Sequence, residues 1–330
     1  IKMQLFYNPE LIMYIVIYFF VCMFSAVSVN LSFERLLVYV LLIALSYVVR
    51  HSGYEMDFTH SYIPALNSTS NSFYYLKEPV FWYGSRLLYQ YFNLPYEFVF
   101  IVFDSFVFFL IIRSFDRLSL RPYHALVFFL FFPQVLGMQN AYRQFIAFSL
   151  FLYAFSLKDS FKISSFFWFS LAVLTHNATI VLLPLYFIKD IREVSSFSLS
   201  IIFSVCLLSF LSLRAEHSTG STSASIYILV VFLIFIFLIA SYKGKLRSEF
   251  QLFFFNFYSI FLLLFSFLFS SGATTKRIGM YLINVSFIYL MLTITRQYKQ
   301  RKFIVLIVCS LVFLATLYFP GTRGMIFLDY

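Results

Sequence analysis

Residues 137–190 read GMQNAYRQFIAFSLFLYAFSLKDSFKISSFFWFSLAVLTHNATIVLLPLYFIKD, and their interpretation decides the fold. Arg143 and His176 stand in sequence otherwise apolar enough for lipid, where an ionisable side chain is costly and needs a local reason. Arg143 opens one apolar run, a short loop with Lys158, Asp159 and Lys162 closes it, and a second run leads to His176. Lys and Arg favour the cytoplasmic side of a membrane. With this basic loop placed there, Arg143 and His176 share the opposite face.

The rest of the chain has the same character. Of 330 residues, 62% are hydrophobic and only 12% charged, which excludes a soluble domain built around one core. Charges, Gly and Pro cut the chain into apolar segments of roughly 13 to 21 residues, near the helical length that spans a bilayer. The short alternating strands of a closed barrel are absent from the sequence pattern. The expected fold is therefore all-α: a polytopic integral membrane protein of about 11–12 transmembrane helices, forming one transmembrane domain over residues 1–330. The expected spans are 11–29, 36–49, 97–112, 123–136, 144–157, 163–175, 178–188, 197–213, 225–241, 250–270, 279–295 and 303–319. The first is read as a membrane helix and not as a cleavable signal.

The net charge of +10 comes from Lys and Arg in short loops between spans, so it reads as membrane topology and not as a nucleic-acid surface. Cys22, Cys206 and Cys309 lie in apolar runs without CxxC spacing, which points to neither a disulfide framework nor a zinc site. The basic loops at Arg113/Arg117/Arg121, Lys158/Lys162, Lys189/Arg192, Lys243/Lys245/Arg247 and Arg296/Lys299/Arg301/Lys302 are all expected on the cytoplasmic side. Residues 163–188 then have basic loops at both ends and must go in and come back. This predicts a short re-entrant hairpin with His176 at its tip. The longest outer stretch is 50–96, with a polar Asn67–Ser72 segment and an aromatic amphipathic run over 80–92 that carries Arg86.

Several cations remain on the outer face: Lys2, Arg50, Lys77, Arg86, Arg143, Arg214, Lys276, Arg277 and Arg323. Arg143, Lys276 and Arg277 are expected at the starts of helices that descend from that face, where free N–H groups and the helix dipole favour anions, a pyrophosphate above all. Asn140 and Gln144 make the Arg143 region polar. Asp57, Glu78 and His176 are the candidate proton acceptors, each with a structural alternative as an ion-pair partner or helix cap. Asp104 lies within a span and is expected in a buried pair. No DxD-like pair, His/Cys cluster or Gly-rich phosphate loop is present in the sequence, so neither a metal nor a nucleotide cofactor is expected.

Taken in order, Arg50-x-x-Gly53-x-x-x-Asp57-x-x-x-x-Tyr62, Lys77-Glu78-Pro79, Asn140-x-x-Arg143-Gln144, His176, and Lys276-Arg277 with Tyr281 resemble the EpsG/Wzy group of polysaccharide (O-antigen) polymerases. The likeness covers most of residues 36–290, and the Arg143-Gln144 to His176 block is its most specific part. The resemblance implies a bacterial inner-membrane glycosyltransferase of GT-C type with its active site facing the periplasm. It would transfer a growing glycan from undecaprenyl pyrophosphate onto the non-reducing sugar of a new lipid-linked repeat unit, with inversion and without metal. In that frame Arg143, Lys276, Arg277 and Arg50 bind pyrophosphate, and Asn140, Gln144, Tyr62 and Tyr281 contact substrate. The base is His176, Asp57 or Glu78: exchange of a proton near neutral pH favours His176, and carboxylate precedent favours Asp57. The implied partners are undecaprenyl-pyrophosphate-linked oligosaccharides as donor and acceptor, membrane lipids, and a chain-length regulator protein. A flippase for the same lipid-linked unit and an O-antigen ligase are the alternatives. A flippase should carry charges along a two-sided pathway between related halves, and neither is apparent in the sequence.

Overall fold

In the computed structural model, residues 8–27, 29–51, 57–68, 73–187, 223–242, 250–298 and 300–327 are described. The expected span 197–213, the cations Lys2 and Arg214, the basic loops at Lys189/Arg192 and Lys243/Lys245/Arg247, and the far end of the 163–188 hairpin lie outside those residues. No strand occurs among the described residues.

The chain divides into two compact units, Ile1–Asn177 with Lys299–Tyr330, and Ala178–Tyr298. In the first unit the elements are α1 (Pro9–Ala26), α2 (Leu31–His51), a π-helical turn (Phe58–Tyr62), α3 (Ile63–Leu66), α4 (Phe73–Leu76), α5 (Pro79–Phe92), α6 (Tyr96–Arg117), α7 (Tyr123–Phe129), α8 (Phe132–Gln139), α9 (Tyr142–Leu157), α10 (Lys162–Thr175), α15 (Arg301–Tyr318) and α16 (Pro320–Phe327). A 3-10 turn over Asn177–Leu182 leads into the second unit, which contains α11 (Pro184–Phe187), α12 (Ala224–Tyr242), α13 (Phe250–Phe269) and α14 (Gly272–Gln297).

Six helices among the described residues, α1, α2, α6, α12, α14 and α15, are long and apolar enough to cross a membrane. Their surfaces are inverted relative to a soluble protein. Ile12, Ile15 and Phe19 on α1 and Leu36, Val40 and Tyr47 on α2 are exposed, whereas Glu10, Glu34, Arg50 and Asp104 are buried. An apolar exterior around a charged interior suits a hydrocarbon solvent. The chain is an all-α multi-pass membrane protein.

Two ends of the first unit are fixed by polar contacts. At one end Glu34, at the start of α2, holds the Arg121 guanidinium and accepts the Tyr123 N–H at 3.0 Å, and Arg35 pairs with Asp116 at 2.9 Å. This ties the α1–α2 connection to the α6–α7 connection. From this end α2 runs away and α6 runs back, so the C-terminus of α2, the start of α6 and the start of α9 meet at the opposite end, which α10 reaches at Thr175.

The expected single span over 123–136 is broken. Pro133 has no N–H to bond the carbonyl four residues back, and its ring crowds that turn, so α7 stops at Phe129 and α8 starts afresh at Phe132. The Leu130 carbonyl at the break accepts the Thr316 hydroxyl of α15 at 2.7 Å. A neighbouring helix thus satisfies a backbone group that lipid could not. The 50–96 stretch, expected as an outer loop with one amphipathic run, holds four helical pieces among its described residues besides the end of α2. In α5, Arg86 is buried, donates to the Ala65 carbonyl at 2.9 Å and lies over the Tyr75 ring.

In the second unit α12, α13 and α14 pack on one another. Gly279 on α14 allows a close approach: a Cβ there would stand 2.8 Å from the Tyr227 Cβ on α12. Small residues of this kind let membrane helices pack by van der Waals contact. The start of α14 differs from expectation. Ser271 caps it by accepting the Thr274 N–H at 3.2 Å, so the helix begins at Gly272 and Lys276 and Arg277 lie more than a turn inside it. They are therefore beyond the first-turn N–H groups assigned to them from sequence.

Candidate active site

The polar end of the first unit where α5, α9 and α10 meet is organised around Glu78. Pro79 sits in the first turn of α5, where a missing N–H costs nothing, and this sets Glu78 as the residue just before the helix. Its side chain caps nothing in its own helix. One carboxylate oxygen, Oε2, accepts from the Arg143 guanidinium. The other, Oε1, accepts the Asn177 backbone N–H at 3.3 Å and lies 4.0 Å from His176 Nδ1.

Arg143 is the second residue of α9, and its guanidinium also lies 4.9 Å over the Trp82 ring, one turn along α5 from Glu78. The Arg143 side chain keeps 18% exposure and that of His176 11%, so the cluster is sheltered but reachable.

His176 ends α10. Its backbone turns extended (φ −152°, ψ 112°) while its N–H still bonds the Ala172 carbonyl at 3.0 Å. Asn177 then closes the corner. With its amide nitrogen turned toward two carbonyls, it donates to Lys77 at 3.0 Å and to Val173 at 3.3 Å. The chain on either side of Glu78 and His176 is thereby laced together by a residue that the sequence marks only as a polar neighbour of the histidine.

Of the residues singled out from sequence, the structure brings Glu78, Arg143 and His176 into one cluster. Gln144 is buried beside Arg143 on α9, and Asn140, at the end of α8, is half-buried with its N–H on the Leu136 carbonyl at 2.8 Å. Tyr62 is buried in an aromatic layer, 5.9 Å from Trp82 and 5.3 Å from Phe81 between ring centres. Asp57 immediately precedes the π-helical turn and is half-buried. Arg50 is in the last turn of α2, with its side chain only 1% exposed and held by Asp104. Tyr281, Lys276 and Arg277 belong to the second unit. There Tyr281 is fully buried with its hydroxyl 2.8 Å from Thr179 Oγ1, Lys276 is half-buried and Arg277 exposed.

Trp82 and Asn177 were not among the residues expected at the site. Trp82 carried a signal, since it follows Glu78 at helical spacing and therefore shares its face. Among the described residues no three His, Cys, Asp or Glu side chains converge as metal ligands would.

What the arrangement can do follows from these contacts. A carboxylate, an imidazole and a guanidinium lie within a few ångströms at a helix-end corner of a membrane unit. The guanidinium suits a phosphate oxygen, and the carboxylate and imidazole suit a proton leaving a hydroxyl. No curated protein and no solved structure gives a significant match to this chain. The family model described as the EpsG family matches residues 35–326, which takes in the whole of this cluster and nearly all of the chain, and the protein belongs to the EpsG family.

Proposed function

We propose that the protein is a polysaccharide polymerase of the bacterial inner membrane, with the Glu78–Arg143–His176 cluster at its periplasmic face. Membership of the EpsG family supports a membrane function of the polysaccharide-polymerase type. The observation that carries the mechanism is the Glu78 carboxylate, shared between Arg143 on one oxygen and the Asn177 N–H and His176 on the other.

The donor is a glycan on undecaprenyl pyrophosphate, and the acceptor is the non-reducing sugar of a lipid-linked repeat unit. An acceptor hydroxyl oxygen attacks the anomeric carbon, the bond from that carbon to the pyrophosphate oxygen breaks, and undecaprenyl pyrophosphate leaves with the bonding pair. Arg143 carries the charge that grows on the leaving diphosphate. In the resting protein Glu78 occupies the Arg143 guanidinium. A diphosphate that takes the guanidinium leaves the carboxylate beside His176, where the pair accepts the hydroxyl proton. On this reading Glu78 and His176 share the base role, out of the three candidates His176, Asp57 and Glu78. Asn140 and Gln144, flanking Arg143, are assigned to the sugar next to the diphosphate, and the polyprenyl tail lies against the apolar helix exterior.

In cells, Arg143→Ala and Glu78→Gln proteins should remain in the membrane while surface polysaccharide falls to single repeat units. Long chains at parental level in both variants would remove the assignment. Lipid-linked units trapped on the cytoplasmic side would instead indicate transport, and loss of lipid A capping with chain ladders intact would indicate a ligase.

A further inference from the structure

Beneath the cluster lies a second charged group that the mechanism does not use. Arg50 and Asp104 form a two-pronged pair, Nε to Oδ2 at 2.9 Å and Nη2 to Oδ1 at 3.0 Å, with side chains 1% and 0% exposed. The other bonds of the pair go to a further residue of α2 and to two more helices, α8 and α9. Ser46 of α2 donates to Asp104 Oδ2 at 2.5 Å, the Tyr142 hydroxyl donates to Oδ1 at 2.8 Å, and Arg50 Nη1 donates to the Met138 carbonyl at 2.8 Å. The guanidinium also lies 4.3 Å from the centre of the Phe58 ring and 4.5 Å from that of Tyr142.

The two partners on α8 and α9 define its target. Met138 lies in the last turn of α8 and Tyr142 opens α9, so the pair grips both sides of the turn that leads into Arg143. That turn is already tight: Asn140 and Ala141 both donate to the Leu136 carbonyl, at 2.8 and 3.0 Å, and a Cβ on Gly137 would stand 3.0 Å from that of Phe145. A buried ion pair is a poor source of net stability, because desolvation offsets its attraction, but its fixed geometry sets position well.

We infer that Arg50 and Asp104 are positioning residues, which act through Tyr142 and the Met138 carbonyl to hold the Arg143 guanidinium over Trp82 and against Glu78. This rests on the reading of Arg143 as the diphosphate ligand, and it gives Arg50 a different role from the diphosphate contact expected of it. A misplacement of about 1 Å at a reacting group can lower turnover roughly 100-fold, so a network that sets the root of Arg143 is functionally consequential.

The chain has two tryptophans, Trp82 and Trp168, so in a Trp168→Phe background Trp82 emission reports the guanidinium above it without any substrate. With the purified full chain, iodide quenching of Trp82 should change in Asp104→Asn and in Tyr142→Phe in the same direction as in Arg143→Ala. Polymer turnover should fall about 10- to 100-fold in each. Glu34→Gln, which breaks the ion pair at the other end of the unit, should leave Trp82 quenching unchanged whatever it does to thermal stability. Parental quenching in Asp104→Asn, or in Arg143→Ala itself, would overturn the inference. If Asp104→Asn does not accumulate, the uncharged double variant Arg50→Gln/Asp104→Asn is read by the same criterion. A quenching change as expected, with a parent protein that makes no polymer, would leave the positioning role standing and remove the polymerase reading instead.

Discussion

The carboxylate of Glu78 and the guanidinium of Arg143, 65 residues apart in sequence, are in direct contact at one end of the first helical unit. Each is held by a different helix start, Glu78 before α5 and Arg143 in the first turn of α9, and the backbone of Asn177 brings the end of α10 to the same carboxylate. An anion that binds Arg143 therefore competes with Glu78. That competition has a measurable consequence.

Glu78→Gln removes the carboxylate that holds Arg143 and, with it, the proposed proton acceptor. Inorganic pyrophosphate should bind the purified variant more tightly than the parent, while turnover falls by about 100-fold or more, the range for loss of a general base. Titration calorimetry and a polymer assay on the same preparation give the two numbers. Weaker pyrophosphate binding in the variant would show that Glu78 supports the anion site and does not compete with it.

At the opposite end, Glu34→Gln should act on stability alone. Glu34 is fully buried and accepts both from Arg121 and from the Tyr123 N–H, and loss of its charge weakens both bonds. The Arg121 side chain is 29% exposed, so solvent screens part of the effect, and a cost of about 1–3 kcal/mol is expected. The melting temperature in detergent should drop, with polymer formed per folded molecule unchanged.

Gly279→Val tests the helix crossing in the second unit. The new Cβ would meet the Tyr227 Cβ at 2.8 Å, and two branched methyls add to the conflict. Overpacking of this kind costs about 1–3 kcal/mol, visible as a lower melting temperature. Unchanged melting would mean that α12 and α14 do not approach so closely.

Topology has its own test. The helix α9 runs over Tyr142–Leu157, so cysteines placed at Asn140 and Lys158, in a chain freed of its native cysteines, flank it. A membrane-impermeant maleimide should label position 140 in intact spheroplasts and position 158 only after permeabilisation. The reverse pattern would place the cluster at the cytoplasmic face.

The sequence made the shared face of Arg143 and His176 legible, because one basic loop, Lys158 to Lys162, lies between two apolar runs and leaves their far ends together. The site's central carboxylate was legible only as one of two. Asp57 and Glu78 both lie in the same long stretch, and which of them reaches Arg143 depends on how π-helical and α-helical turns fold it. Arg50 was misleading for a physical reason. As a cation at the end of a span it reads as solvent-facing, but α2 continues through it to His51 and Asp104, 54 residues on, draws it inward. Lys276 and Arg277 shifted similarly, since charges marked a helix end in the sequence while the Ser271 cap starts α14 earlier. Pro133 did announce the break in the 123–136 span, but apolar residues on both sides masked it. Pairings between distant buried residues, such as Thr316 with the Leu130 carbonyl, leave no local pattern to read.

The most direct test of the central claim is polymerisation in vitro: purified lipid-linked repeat unit, the purified full-length protein, and a chelator in the buffer. If Arg143 carries the diphosphate charge and Glu78 with His176 takes the proton, the parent should build a ladder of chain lengths and release undecaprenyl pyrophosphate. In the same assay Arg143→Ala and Glu78→Gln should leave the single repeat units intact. A ladder from Arg143→Ala as long and as fast as the parent's would contradict the account.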